Sequence, residues 1–252
     1  MTVEPKFEWL LRCGDNALIL SQRLSEWCGK GPILEEDMAA TNVALDLLGQ
    51  ATLWLTYASE HKQDGRNADQ LAFLRDAHAF RNALLVEQPN EDYGHTLVRQ
   101  FYFDAWHYFF LEALLQSRDE KITAIAEKSI KEVRYHLRRS SDLIIRLGDG
   151  SQESHQRIQR SIDALWMYTG ELFTPDAIDL EMQQQGIAPD LLQLHAKWKQ
   201  HIQQVCDEAT LLVPSDQAWM QKGGKTGVHT EHLGYLLAEM QVLQRAYPGA
   251  QW

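Results

Sequence analysis

Apolar residues recur at three- and four-residue steps along nearly the whole chain, and almost no stretch shows the strict alternation of a half-buried strand. That period restricts the chain to an all-α fold, because side chains spaced this way share one face only when the backbone is helical. A first helix is predicted from about Phe7 to Trp27, stopped by Cys28-Gly-Lys-Gly-Pro32. Glu35, Glu36 and Asp37 then fall in the first turn of a second helix, where the macrodipole favours negative charge, and that helix continues to about His61. A third is predicted from about Ala68 to Val86, a fourth from about Tyr93 to Leu115 and a fifth from about Glu120 to Leu147. Further helix is predicted at about 153–170, 176–184, 188–208 and 229–247.

The second helix carries two apolar stripes, Met38, Leu45, Leu48 and Leu55 on one and Ala44, Leu47, Ala51 and Trp54 on the other, so burial on two sides is expected. The fourth is apolar around most of its circumference, which places it centrally. Helices two to five are long enough for an antiparallel four-helix core with the remaining helices wrapped around it. Without a low-complexity tract or a long flexible linker, a single domain over residues 1–252 is expected.

At 44% hydrophobic content, 252 residues are ample for a core. A net charge of −11 argues against a nucleic-acid partner, which calls for clustered positive charge. No run approaches a membrane span, and the start Met1-Thr-Val-Glu-Pro lacks the pattern of a signal peptide, so the cytoplasm is the expected location. Cys13, Cys28 and Cys206 form no CxxC and are expected to be reduced and buried.

A helical bundle can hold two metals when two helices each give a carboxylate and two others each give Glu-x-x-His. Asp46, His78, Asp104 and His136 supply that order, with equal carboxylate-to-histidine separations of 78 − 46 = 32 and 136 − 104 = 32 residues. The acids that should stand three before each histidine are missing: Arg75 and Val133 occupy those places. Glu132, four before His136, is a substitute on nearly the same face. Arg75 would put a fixed positive charge where a cation should sit, and its guanidinium could satisfy Asp46 and Asp104 instead. No metal, cofactor or catalytic residue is therefore expected in this chain; Asp46, Arg75, His78, Asp104, Glu132 and His136 mark a vestige of a site.

Other patterns are weaker. With 35 acids in 252 residues, roughly 1.4 of ten histidines should have an acid three positions earlier by chance. Two do, Asp92/His95 and Asp104/His107, which reads as buried polar pairs or helix-end contacts. His229-Thr-Glu-His232 would need a third zinc ligand that is not identifiable. Gly224-Lys-Thr lacks the earlier glycine of a phosphate loop, since Trp219 stands there. The segment around Lys222 and Lys225 nevertheless precedes a helix N-terminus, a setting favourable to an anion, and the alternative is a loop that lets the last helix dock. The basic run Arg134 to Arg139 reads as a solvated or partner-facing surface.

Several segments together resemble one family. They are Leu11-Arg-Cys-Gly-Asp-Asn16, Leu20-Ser-Gln-Arg-Leu-Ser-Glu-Trp-Cys-Gly29, Leu45-Asp-Leu-Leu-Gly-Gln-Ala51, Leu84-Leu-Val-Glu-Gln-Pro-Asn90, Phe103-Asp-Ala-Trp-His107, Lys131-Glu-Val-Arg-Tyr-His-Leu-Arg138, Gly223 to Gly234, Ala238-Glu-Met-Gln241 and the final Pro-Gly-Ala-Gln-Trp252. Nearly full length and in order, they are similar to the structural subunits of bacterial ring 1,2-phenylacetyl-CoA epoxidases, multicomponent oxygenases of aerobic phenylacetate breakdown. The resemblance implies a ferritin-like, non-catalytic subunit. It would pair with a homologous catalytic subunit that holds the di-iron centre, with further subunits and an NADPH-fed reductase in the complex. It also leaves room for a homo-oligomer of the isolated chain. The Lys222 and Lys225 loop could then contact the phosphates of CoA or a partner. The alternative is an independent di-iron oxygenase or ferroxidase using Asp46, His78, Asp104, Glu132 and His136.

Overall fold

The computed structural model describes residues 4–250, so Met1-Thr-Val3 and the last two residues of the Pro248–Trp252 segment lie outside the described part. In chain order the α-helices are α1 (Pro5–Ser25), α2 (Leu34–Lys62), α3 (Ala68–Phe73), α4 (Leu84–Glu87), α5 (Tyr93–Leu114), α6 (Glu120–Gly148), α7 (Gln152–Trp166), α8 (Ala177–Gln184), α9 (Leu191–Glu208), α10 (Glu231–Met240) and α11 (Val242–Ala246). Three 3-10 turns complete the regular structure, and no strand occurs among the described residues, as the period requires. No helix among them is long and apolar enough to cross a membrane. They fall in two compact units, one drawn from Met1–Pro89 with Gly223–Trp252, the other from Asn90–Lys222.

The first unit is built on the antiparallel pair α1 and α2. Glu4 beside the start of α1 meets His61 (2.7 Å) and Lys62 (2.9 Å) at the end of α2, and Ser21 Oγ donates to the Ala44 carbonyl at 2.8 Å. Between them Trp9 packs edge-on against Trp54. Gly14 permits the close approach, since a Cβ there would lie 2.7 Å from Leu55. Sixteen of the 21 residues of α1 are buried, so the first helix is a core element and not part of a wrapping.

Three further expectations are corrected here. The third helix is not continuous: α3 ends at Phe73, a 3-10 turn covers Ala77–Ala79, and only Leu84–Glu87 is helical again. Side chains take the bonds that helix backbone would have made. Arg75 donates to the Leu71 and Ala79 carbonyls, Asp15 accepts from the Arg81 N–H (2.8 Å), and Asn16 accepts from the Ala83 N–H (2.8 Å). Gln241 Nε2 donates to the carbonyls of Ala72 and Arg75. The second helix, for its part, is buried on one side only: Ala44, Leu47, Ala51 and Trp54 are covered, as is Leu55, whereas Met38, Leu45 and Leu48 face outward. Cys13 and Cys206 are buried and form no disulfide, but Cys28, in the turn after α1, is exposed and not buried as expected.

The second unit places α5 at its centre, with every residue from His95 to His107 buried. Asp92 caps it, accepting from the His95 N–H at 2.8 Å, so the Asp92/His95 pair is a helix-end contact. Antiparallel α6 lies along α5, and α7 and α9 complete an aromatic cluster. Tyr102, Trp166 and Trp198 lie within 5.9 Å of one another by ring centroid, and the Trp198 indole donates to the Tyr102 carbonyl at 2.9 Å.

Candidate functional site

Of the six residues proposed for a vestigial site, Asp46, Arg75 and His78 belong to the first unit, and Asp104, Glu132 and His136 to the second. Asp46 is half-buried on α2. Arg75 and His78 do not share a helix face, because the chain between them has left the helix; His78 is exposed in the 3-10 turn. The carboxylate partner of Arg75 is Asp15, not the expected Asp46 and Asp104. Both Arg75 Nη atoms reach Asp15, one of them at 2.9 Å, and the guanidinium stacks 4.2 Å from the Phe80 ring centroid. Both members of this ion pair are buried, and it ties α1 to the irregular segment that replaces the third helix.

In the second unit α5 and α6 do bring Asp104 and His136 together, and they add a residue that spacing alone had left at chance level, His107. All three are buried. Gln100 Nε2 donates to Asp104 Oδ1 at 2.5 Å, and Ser140 lies beside the same carboxyl. Burial pushes the Asp104 carboxyl up to about 6, against the opposing pull of His136, Ser140, Gln100 and Arg139. Burial, aided by His136, takes His107 down to about 3, so its ring is neutral at pH 7. Asp104 Oδ2, His107 Nδ1 and Ser129 Oγ have no protein hydrogen-bond partner. Glu132 is half-buried one turn before His136.

These residues do not fit a di-iron centre. Such a site needs several anionic ligands converging on one point. Among the described residues no group of three or more His, Cys, Asp or Glu is placed to hold a metal ion. Val133, fully buried, presents methyl groups where a ligand acid would stand. What the cluster can do is hold one carboxyl between an amide, a hydroxyl and an imidazole, a structural polar core.

The loop before α10 holds the group that sequence reasoning missed. Glu87, fully buried, accepts from Thr230 N (2.6 Å), Thr230 Oγ1 (2.8 Å), Asn82 Nδ2 (2.8 Å) and His229 Nδ1 (2.8 Å). His229 Nε2 lies 3.1 Å from the Phe80 carbonyl, so both ring nitrogens face acceptors, an arrangement that favours the protonated ring, the one form in which both nitrogens donate. Burial pulls the His229 pKa down, but the hydrogen bond and charge of Glu87, with the Phe80 carbonyl and Asp15, outweigh it and raise the value above 6.5. The anion expected at the α10 N-terminus is thus the chain's own Glu87. Gly227 is required there: its φ is +82°, and a Cβ would lie 2.2 Å from the His78 carbonyl. Lys222 is exposed and Lys225 half-buried. Of this pattern only the docking of the last helix was foreseeable; the partners Glu87 and His229 are 142 residues apart.

A family described as phenylacetic acid catabolic protein matches residues 1–252 of this chain. The chain is also 51% identical over 244 residues to a protein of Escherichia coli (strain K12) whose name makes it one of the subunits of 1,2-phenylacetyl-CoA epoxidase. The match covers 97% of this chain and 98% of that protein.

Proposed function

We propose, from the fact that this chain belongs to the phenylacetic acid catabolic protein family, that it is a structural subunit of a 1,2-phenylacetyl-CoA epoxidase and does not itself carry the chemistry. The observation that carries this reading is the identity of 51% along almost the entire length of both chains to a protein named as one subunit of that enzyme. The ligand positions support the non-catalytic part: Val133 is a buried hydrocarbon, and Arg75 is committed to Asp15. In this reading the di-iron centre belongs to a homologous catalytic subunit, and this chain acts as one ferritin-like domain that buries helical surface against it and holds it in shape.

Metal analysis and O₂-dependent turnover of phenylacetyl-CoA, measured on the isolated chain and on the complex, test it. The expected result is sub-stoichiometric iron and no turnover for the chain alone, with iron and activity in the complex. Near-stoichiometric iron with turnover by the chain alone would replace this reading with an independent di-iron oxygenase or ferroxidase.

Contact of Lys222 and Lys225 with CoA is the remaining part of the proposal. Because Glu87 already fills the adjoining helix N-terminus, any such contact is through the lysine side chains, as point charges. Replacing both by alanine is expected to raise the KM of the complex for the CoA ester by no more than about tenfold, the scale of one or two exposed ion pairs, with kcat unchanged. An unaltered KM removes the contact.

A further inference from the structure

We infer that, independently of the subunit reading, the seam between α5 and α6 holds an internal water molecule bound by Gln100, Asp104 and His107. These three residues succeed one another at steps of four and three, so they share one face of α5. Ser129, Val133, His136 and Ser140 do the same on α6, at steps of four, three and four. The two faces meet: Asp104 has His136 and Ser140 beside it, and His136 also bears on His107. Gln100 is 3% exposed, Asp104 1% and His107 4%, so bulk solvent does not serve them.

The hydrogen bonds within the seam leave three polar atoms over. Gln100 Nε2 donates to Asp104 Oδ1, which uses one carboxylate oxygen and one end of the amide. Asp104 Oδ2, Gln100 Oε1 and His107 Nδ1 have no partner among the described residues. The amide oxygen is an acceptor in every state, and Oδ2 is one whenever the carboxyl is ionised. Burial keeps the His107 ring neutral, so its Nδ1 accepts or donates according to the tautomer. Reversing the Gln100 amide would turn its oxygen against the carboxylate and removes nothing. Unpaired buried acceptors are costly, and whatever fills them must bring hydrogens or positive charge.

Water fits this set and a cation does not. With the ring proton on Nδ1, one water accepts from His107 and donates to Asp104 Oδ2 and Gln100 Oε1; three polar partners are the usual complement of a buried water. Asp104 and His107 lie one turn apart, about 5–6 Å between Cβ atoms, a gap that two hydrogen bonds through one oxygen span. A divalent cation would call for further anionic ligands. Val133 brings only methyl groups to this seam, and among the described residues no group of three or more His, Cys, Asp or Glu is placed for a metal. The charge of Arg139, which already acts on Asp104, opposes a second cation.

A crystal structure of the purified full chain, at a resolution that orders internal waters and from crystals soaked in Zn²⁺, tests this. The expected result is a water oxygen about 2.7–3.2 Å from both Asp104 Oδ2 and His107 Nδ1, with no zinc anomalous signal there. Asp104 and His107 with no water between them would overturn the inference, and so would zinc in the seam. In solution, ¹⁷O relaxation dispersion counts long-lived internal waters, and Asp104→Leu/His107→Leu is expected to lose one relative to wild type. An unchanged count in the folded variant is a second overturning result. Should that variant not fold, the soaked wild-type crystal decides. The subunit reading stands or falls separately, on iron and turnover.

Discussion

Replacing Asp15 by alanine is expected to destabilise the protein by about 3–5 kcal/mol, the scale for removing one partner of a buried ion pair. Arg75 would keep its charge inside a packed segment with no carboxylate beside it, and the Arg81 N–H would lose its acceptor as well. The effect should concentrate in the segment from Leu71 to Ala83, whose irregular backbone is held by side chains and not by a helical ladder. Urea unfolding monitored by circular dichroism measures it, as a drop in midpoint with little change in slope. A double replacement, Asp15→Leu with Arg75→Met, is expected to recover much of the loss, because removing both charges removes the desolvation penalty together with the attraction. A loss below about 1 kcal/mol for Asp15→Ala would show that the pair behaves as an exposed one.

Stability is also expected to fall as the solution becomes alkaline, through His229. Its folded pKa is raised above 6.5, so protonated His229 contributes in full below 6.5, and the contribution is lost as pH rises through the folded value. Once the ring is neutral it can donate from one nitrogen only, and either the Glu87 carboxylate or the Phe80 carbonyl is left facing a lone pair. Replacing Glu87 by alanine should be more severe, about 3–5 kcal/mol at any pH, since it strips the acceptor from His229, both Thr230 donors and Asn82 at once. Unfolding midpoints from about pH 6 to about pH 8.5 measure the first effect. His229→Gln, which carries no titrating ring, should flatten that slope. A wild-type slope that survives in His229→Gln assigns the pH dependence elsewhere. Limited proteolysis supplies the location, with cuts expected first in residues 223–250 if Glu87 is what pins them.

Much of this could be read from residue order. The helix ends were legible because the chain writes them in local chemistry: Gly and Pro after α1, acids opening α2, Gly148 closing α6. Asp104 and His136 were legible as a pair because both lie on long regular helices, where spacing converts directly into facing. Arg75 and His78 were misplaced by the same rule. It holds only while the helix continues, and theirs is interrupted by contacts from Asp15, Asn16 and Gln241, none of them near in sequence. His107 was noted with Asp104 but given no place beside His136, because a single acid three positions earlier is as common as chance, and only burial separates such a pair from an accident.

The residues by themselves determined an all-helical chain, the ends of its long helices other than the interrupted third within a few positions, and the loss of the acids a di-iron site needs, because each depends on local period, local caps or the identity of one side chain. Only the tertiary structure decided what replaced them: Arg75 on Asp15, His229 on Glu87, and an apolar stripe of α2 left facing outward. Those outcomes turn on which distant groups meet and on which of two apolar faces the chain itself covers. Neither is set by spacing along the sequence, since partners tens to more than a hundred residues apart satisfy the same local rules whether or not they touch.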